Sequence, residues 1–406
     1  MRNRFLLLFL FICGSLFAQK KIIRGTVYNE KGPFQDVAVY FNNSMIGTAT
    51  NKKGEFSIPV IEGNHQLIVS FLGFKTITYN LDTKTYSKPL VFALVEDENM
   101  LDEIIIGKTK YDDDWKYNLT RFKQEFIGRT ELAKDCEILN PKVLYFEYEA
   151  EKKKLTAFAR APLKIRNKGL GYKITYDLKQ FIIEGNRVEY LGFSKYENLK
   201  GNKRKQRKWE KNRLKAYNGS ATHFYKTLLN KSTYKEGFIV NQFKRIPNQE
   251  RPTEKEIKKA RELVRLSKSM INFSKKIDAP ITAIDSALLV LRKVRLPKFK
   301  DYLYRTKVPG DSLISIKSGF PYLDFKNNLS VIYTKEKEEK GFILRNMFSK
   351  KRKPLPQTSS LIPLSIPTML NKRGLLLNPL DMFFEGYWSY EKFADSLPLD
   401  YIPTKN

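Results

Sequence analysis

Between Ile22 and Leu94 the chain repeats one rhythm: a short run of alternating apolar and polar residues, then turn chemistry, then another run. The runs are Ile22–Val27, Val37–Phe41, Ile46–Thr50, Gly54–Ile58, Leu67–Phe71, Lys75–Tyr79 and Leu90–Leu94. Successive side chains of a strand point to opposite faces, so each run buries one face and wets the other. Segments this short, at this spacing, close only by pairing with one another and stacking as two sheets. The expectation is a seven-stranded antiparallel β-sandwich. Asn29-Glu30-Lys31-Gly32-Pro33 supplies one of its turns, and Asn51-Lys52-Lys53 reads as the tight connection of a hairpin.

Residues 1–18 carry Arg2 and Arg4, then an apolar stretch from Phe5 to Cys13, then small residues up to Ala18. This is the pattern of a secretory signal peptide, with cleavage expected after Ala18 and no later apolar stretch long enough to anchor the chain. No small residue stands just before Cys13, which argues against lipid attachment there. The only other cysteine is Cys136, so the mature chain has no internal disulfide and relies on its cores. Cys136 reads as a small buried hydrophobe rather than a nucleophile.

The chain carries a formal net charge of +31. Its densest cationic stretch, a basic loop at 200–215, holds Lys203, Arg204, Lys205, Arg207 and Lys208 with Glu210 as the one acid, and Lys350–Lys353 repeats the theme. For an exported protein the counter-charges are lipopolysaccharide phosphates or an acidic envelope partner rather than nucleic acid. Trp209 is the only ring inside the run, so the interleaved aromatics of a single-strand binding groove are missing. The same run also reads as nothing more than a solvated loop.

Several short motifs, in order, give the N-terminal segment a resemblance. They are Ile23-x-Gly25-x-Val27, Pro33 with Asp36-Val37-x-Val39, Gly47-Thr48 with Thr50-Asn51, Gly54-x-Phe56, and Ser70-Phe71-Leu72-Gly73-Phe74. The order resembles the carboxypeptidase regulatory-like (transthyretin-like) domain found ahead of many bacterial outer-membrane receptors. The resemblance implies a non-catalytic module at 20–94. It also implies a linker at 95–111, in which Leu101, Glu103, Ile104, Ile105 and Ile106 are similar to the segment that precedes a receptor's plug domain. That likeness makes them a candidate partner segment, although an edge strand or plain linker fits the residues equally well.

Zinc peptidase chemistry does not follow from the resemblance. Such a site needs a His with a Glu three residues on and a second His, and Ile68 and Lys226 stand three residues after His65 and His223, the only histidines. No cofactor or metal is expected, and no phosphate loop or nucleophile elbow occurs. Ser220 and His223 could pair as nucleophile and base, but Ser220 reads better as the cap of a helix with Phe224, Leu228 and Leu229 on its apolar face.

Residues 112–406 mix helical and strand periodicity and read as a larger α+β domain. A helix is expected from Asp114 to Phe126, a capping box at Thr253–Glu256 opens another, and Lys326-Asn327-Asn328 reads as a hairpin turn. The fold class is mostly β with α+β. The function expected is that of an exported envelope protein, periplasmic, outer-membrane-associated or extracellular, with a binding or scaffolding role toward an envelope protein, glycan or lipopolysaccharide. Two alternatives stay open: a hydrolase of envelope polymers or glycans using a carboxyl pair or His223, and an accessory subunit of an outer-membrane receptor.

Overall fold

The computed structural model describes residues 22–59, 63–97, 110–267, 272, 274, 276–345 and 352–404. All seven N-terminal runs form strands. One sheet holds β1 (Ile22–Asn29), the two-residue β2 (Gly32–Pro33), β5 (Glu55–Pro59) and β8 (Leu90–Ala93). The other is ordered β4 (Gly47–Ala49), β3 (Ala38–Phe41), β6 (Asn64–Ser70), β7 (Ile77–Asp82). Ile23, Val27, Val39, Phe41, Phe56, Ile58, Leu67, Val69 and Leu81 fill the space between them.

Three details differ from the sequence reading. First, Asn51–Gly54 is a tight turn, with the Gly54 amide donating to the Asn51 carbonyl at 2.8 Å. The strands it joins nevertheless go to opposite sheets: β4 pairs with β3 and β5 with β1, so the connection is an arch and not a hairpin. Second, β8 runs parallel to β1, Gly25 facing Leu90. Gly25 is needed there, because a Cβ would fall 2.4 Å from the Leu90 carbonyl and 2.5 Å from the Phe56 ring. Third, Val95 and Asp97 still bond to Lys75 and Gly73, so sandwich pairing continues past 94.

The remainder contains two cores. Helix α1 (Asp113–Phe126), capped by Asp112, lays Leu119, Phe122 and Phe126 on a six-stranded sheet. That sheet runs β10 (Leu144–Glu149), β11 (Lys154–Ala159), β13 (Tyr172–Glu184), β12 (Leu163–Asn167), β9 (Cys136–Ile138), with β14 (Arg187–Asn198) also on β13. After α2 (Lys203–Tyr217) and α3 (Ala221–Leu229) comes a five-stranded sheet. Its order is β16 (Phe299–Arg305), β15 (Phe238–Pro247), β19 (Asn328–Lys337), β20 (Pro356–Pro363), β22 (Met382–Gly386). A small sheet of β17 (Ile314–Lys317), β18 (Phe320–Leu323) and β21 (Thr368–Met369) packs into the same second core. Helices α4 (Glu254–Leu266) and α5 (Ala283–Lys293), both opened by capping boxes, lie between β15 and β16.

The expected hairpin at 326–328 is absent. Asn327 does take the left-handed conformation of a turn (φ 58°), but β18 and β19 belong to different sheets. The aromatic run near the end is core: Tyr387, Trp388 and Tyr390 are buried on α7 (Tyr387–Tyr390).

A C-terminal strap ties these parts together. Phe393 stacks on Phe126 at 4.7 Å, the Asn167 amide donates to the Ala394 carbonyl at 2.8 Å, and Tyr196 and Ser396 share a hydrogen bond of 2.8 Å. Farther along, the Leu399 amide donates to the Asn43 carbonyl at 2.7 Å and the Asp400 carboxylate accepts from the Met45 amide at 3.0 Å. The same 42–45 loop bonds to β14 through Ser194 and Tyr196. The sandwich is thus held by backbone pairing and by the strap.

Candidate interaction site

The basic stretch is a helix and not a loop. Asn202 caps α2 by accepting from the Lys205 amide at 3.0 Å, which satisfies a first-turn donor that water would otherwise have to serve. One face is pinned. Trp209 is buried and its indole N–H donates to the Lys168 carbonyl at 2.8 Å. Gly171, at φ +75°, lets the ring lie flat on the backbone, since a Cβ there would sit 2.2 Å from Trp209 Cδ2. Asn212 donates to the Gly169 carbonyl at 2.8 Å, and Arg213 donates to the Leu170 carbonyl at 2.8 Å while its guanidinium covers the Tyr172 ring at 4.0 Å.

With that side fixed, Lys203, Arg204, Arg207 and Lys208 point away from it, and Lys205, one turn before Trp209, lies at its exposed margin. Lys203, Arg204, Lys205, Arg207 and Lys208 are all exposed. Lys208 lies 3.5 Å from Asp135; none of the other four is ion-paired among the described residues. Helical geometry fixes the spacing of the five, which a mobile loop would not, at little cost because exposed cations stay hydrated. The other candidate segment, Leu101, Glu103, Ile104, Ile105 and Ile106, lies outside the described residues.

The catalytic alternatives meet a less favourable geometry. Ser220 caps α3, accepting from the His223 amide at 3.2 Å and donating to the Tyr217 carbonyl at 2.7 Å. His223 Nδ1 accepts from the Gly219 amide at 3.1 Å, and burial holds the imidazole down to about 4, so it is neutral and structurally engaged. Cys136 is half-buried, its thiol pushed up to about 12 by burial, the reverse of an activated nucleophile. Among the described residues no three His, Cys, Asp or Glu side chains cluster as metal ligands.

One constellation was not legible in the sequence. Glu336, Glu339, Glu391 and Asp395 come together near Lys215, whose ammonium contacts Glu339 at 2.8 Å. Asp395 accepts from the Thr130 hydroxyl at 3.0 Å and from the Lys392 amide at 3.3 Å, and burial pushes its carboxyl up to about 7. Glu391 keeps some solvent contact, yet the protein packed around it and the neighbouring Asp395 charge also raise its carboxyl. These acids stand on β19, just before α6 (Lys340–Leu344), and on the strap, so no local spacing announces them.

Two hollows among the described residues lie elsewhere. One of about 160 Å³, between sandwich and small sheet, is lined by Asn64, Asp82, Phe320, Leu370 and Asn371. The other, of about 280 Å³, is lined by Arg121, Glu125, Arg129 and Asn186. Neither is lined by the carboxyl cluster, Ser220 or His223.

The cluster does carry a pH dependence. A carboxyl whose folded pKa is raised contributes stability that is complete below its unfolded value near 4 and is lost as pH rises through the folded one. Stability should therefore fall between about pH 4 and 7, with Asp395 contributing on the order of a few kcal/mol. Thermal unfolding across that range checks this, and Asp395→Asn should flatten the slope; an unchanged slope would contradict the assignment.

Among the described residues no helix is long and apolar enough to cross a membrane, which leaves strand-built membrane structures untouched. No match to a curated protein is found. Residues 23–106 match the family model of the CarboxypepD_reg-like domain. The N-terminal β-sandwich of this chain is therefore a CarboxypepD_reg-like domain, a non-catalytic, interaction-type module, set ahead of a mixed α+β region.

Proposed function

We propose that the chain is an exported envelope protein, cleaved after Ala18, that works by binding or scaffolding and not by catalysis. The sandwich is its protein-interaction module, and α2 lays a cationic face on anionic envelope material, lipopolysaccharide phosphates or an acidic partner. The observation that carries this is the pinning of α2. Trp209, Asn212 and Arg213 hold one side, and Lys203, Arg204, Lys205, Arg207 and Lys208 are left facing solvent. Exposed charges act over a Debye length of roughly 8 Å at physiological salt and about 3 Å at 1 M. Retention on vesicles containing lipid A should thus be strong at low ionic strength and largely lost by 1 M salt, as followed by cosedimentation. Retention that persists at 1 M salt would rule out a charge-led surface.

A further inference from the structure

The five-stranded sheet ends differently on its two sides. At one edge β22 runs directly into α7, whose Tyr387, Trp388 and Tyr390 are buried. At the other, β16 pairs, among the described residues, only with β15, and every residue of Phe-Lys-Asp-Tyr-Leu-Tyr-Arg is exposed. Four of the seven are large and apolar or aromatic: Phe299 (52 % exposed), Tyr302 (60 %), Leu303 (51 %) and Tyr304 (38 %), next to Ile246 on β15 (47 %). An edge strand presents a row of unpaired N–H and C=O groups, and contiguous exposed apolar surface beside such a row marks a place where another chain is received.

The charges select the occupant. Asp301 is neutralised in place, since Arg245 grips it at 2.8 and 2.9 Å while also holding Glu385 at 2.7 and 2.8 Å. Lys300 is paired with Glu250 at 2.8 Å. Arg305, Lys307, Lys244 and Lys326 flank the strand, exposed and without an acidic partner among the described residues. A second copy of this chain, itself carrying +31, would bring like charges to face one another across the new pair. The cations that guard the edge against self-pairing favour an acidic strand.

We infer that β16 is a docking edge at which an extended, acidic segment of a partner protein adds as a sixth strand. Backbone hydrogen bonds would supply the pairing, apolar partner side chains would cover Tyr302 on one face and Leu303 on the other, and carboxylates would meet Arg305 and Lys307. This inference does not depend on α2.

The test uses the full chain with Lys203, Arg204, Lys205, Arg207 and Lys208 replaced by Gln, so that α2 does not contribute. The probe is an end-capped peptide alternating Glu and Val, compared with its Lys-for-Glu counterpart. Amide exchange within 299–305 should slow with the acidic peptide and not with the basic one. Arg305→Glu with Lys307→Glu should weaken binding by about tenfold or more, and Tyr302→Ser with Leu303→Ser should do likewise while unfolding midpoints hold. Exchange in 299–305 that is unchanged by millimolar acidic peptide would overturn the inference. So would equal slowing by both peptides, or sedimentation showing a dimer that protects β16 without peptide.

Discussion

Replacing Trp209 with alanine is expected to destabilise the protein by about 3–5 kcal/mol while leaving its salt-sensitive adhesion to anionic vesicles within a factor of a few. The indole fills the contact between α2 and the 168–171 loop, and removing it opens a cavity and leaves the Lys168 carbonyl without its 2.8 Å donor. No cation is removed. If adhesion is set by charge, it survives in whatever fraction stays folded. Urea unfolding at neutral pH reads the first half and cosedimentation the second. A loss below about 1 kcal/mol would mean that α2 is held by something other than its tryptophan.

Phe126→Ala is expected to cost a similar 3–5 kcal/mol, for a different reason. Phe126 is fully buried where α1, the six-stranded sheet and the strap meet. It packs on Phe122 at 5.1 Å, Tyr176 at 5.1 Å, Tyr190 at 5.3 Å and Phe393 at 4.7 Å. Because Phe393 belongs to the strap, the cavity should be felt beyond the core. Amide exchange at 393–396 should quicken more than at Phe56–Ile58, whose buried side chains belong to the sandwich core. Equal acceleration of both segments would show global destabilisation without the local link.

The strands were legible because period-two alternation is a property of each segment alone, and the N-terminal runs all appear as strands. Their partners were less so. Asn51–Lys53 and Lys326–Asn328 both reverse the chain, as their composition requires, but turn chemistry specifies the reversal and not which sheet receives the next strand. In both places the next strand's apolar face was claimed by a different sheet. The basic run hid its helix for a related reason: only Trp209, Ala216 and Tyr217 of α2 are buried, too narrow a stripe to stand out against the lysines around it. The Glu336, Glu339, Glu391 and Asp395 cluster was illegible because its members meet only through the tertiary path of the strap. Ser220, by contrast, lay one turn before its own helix's apolar face, and its capping role could be read locally.

The most direct measurement compares the wild-type chain with the variant in which Lys203, Arg204, Lys205, Arg207 and Lys208 are all glutamine, by cosedimentation with lipid A vesicles at rising salt. All five side chains are exposed and, among the described residues, only Lys208 has an ion-pair partner, so the unfolding free energy should change by less than about 0.5 kcal/mol per site. The expected result is a variant of near-native stability that has lost most of its low-salt adhesion and most of the salt dependence of what remains. A variant that binds like wild type, with the same salt dependence, would contradict the assignment of α2 as the adhesive face.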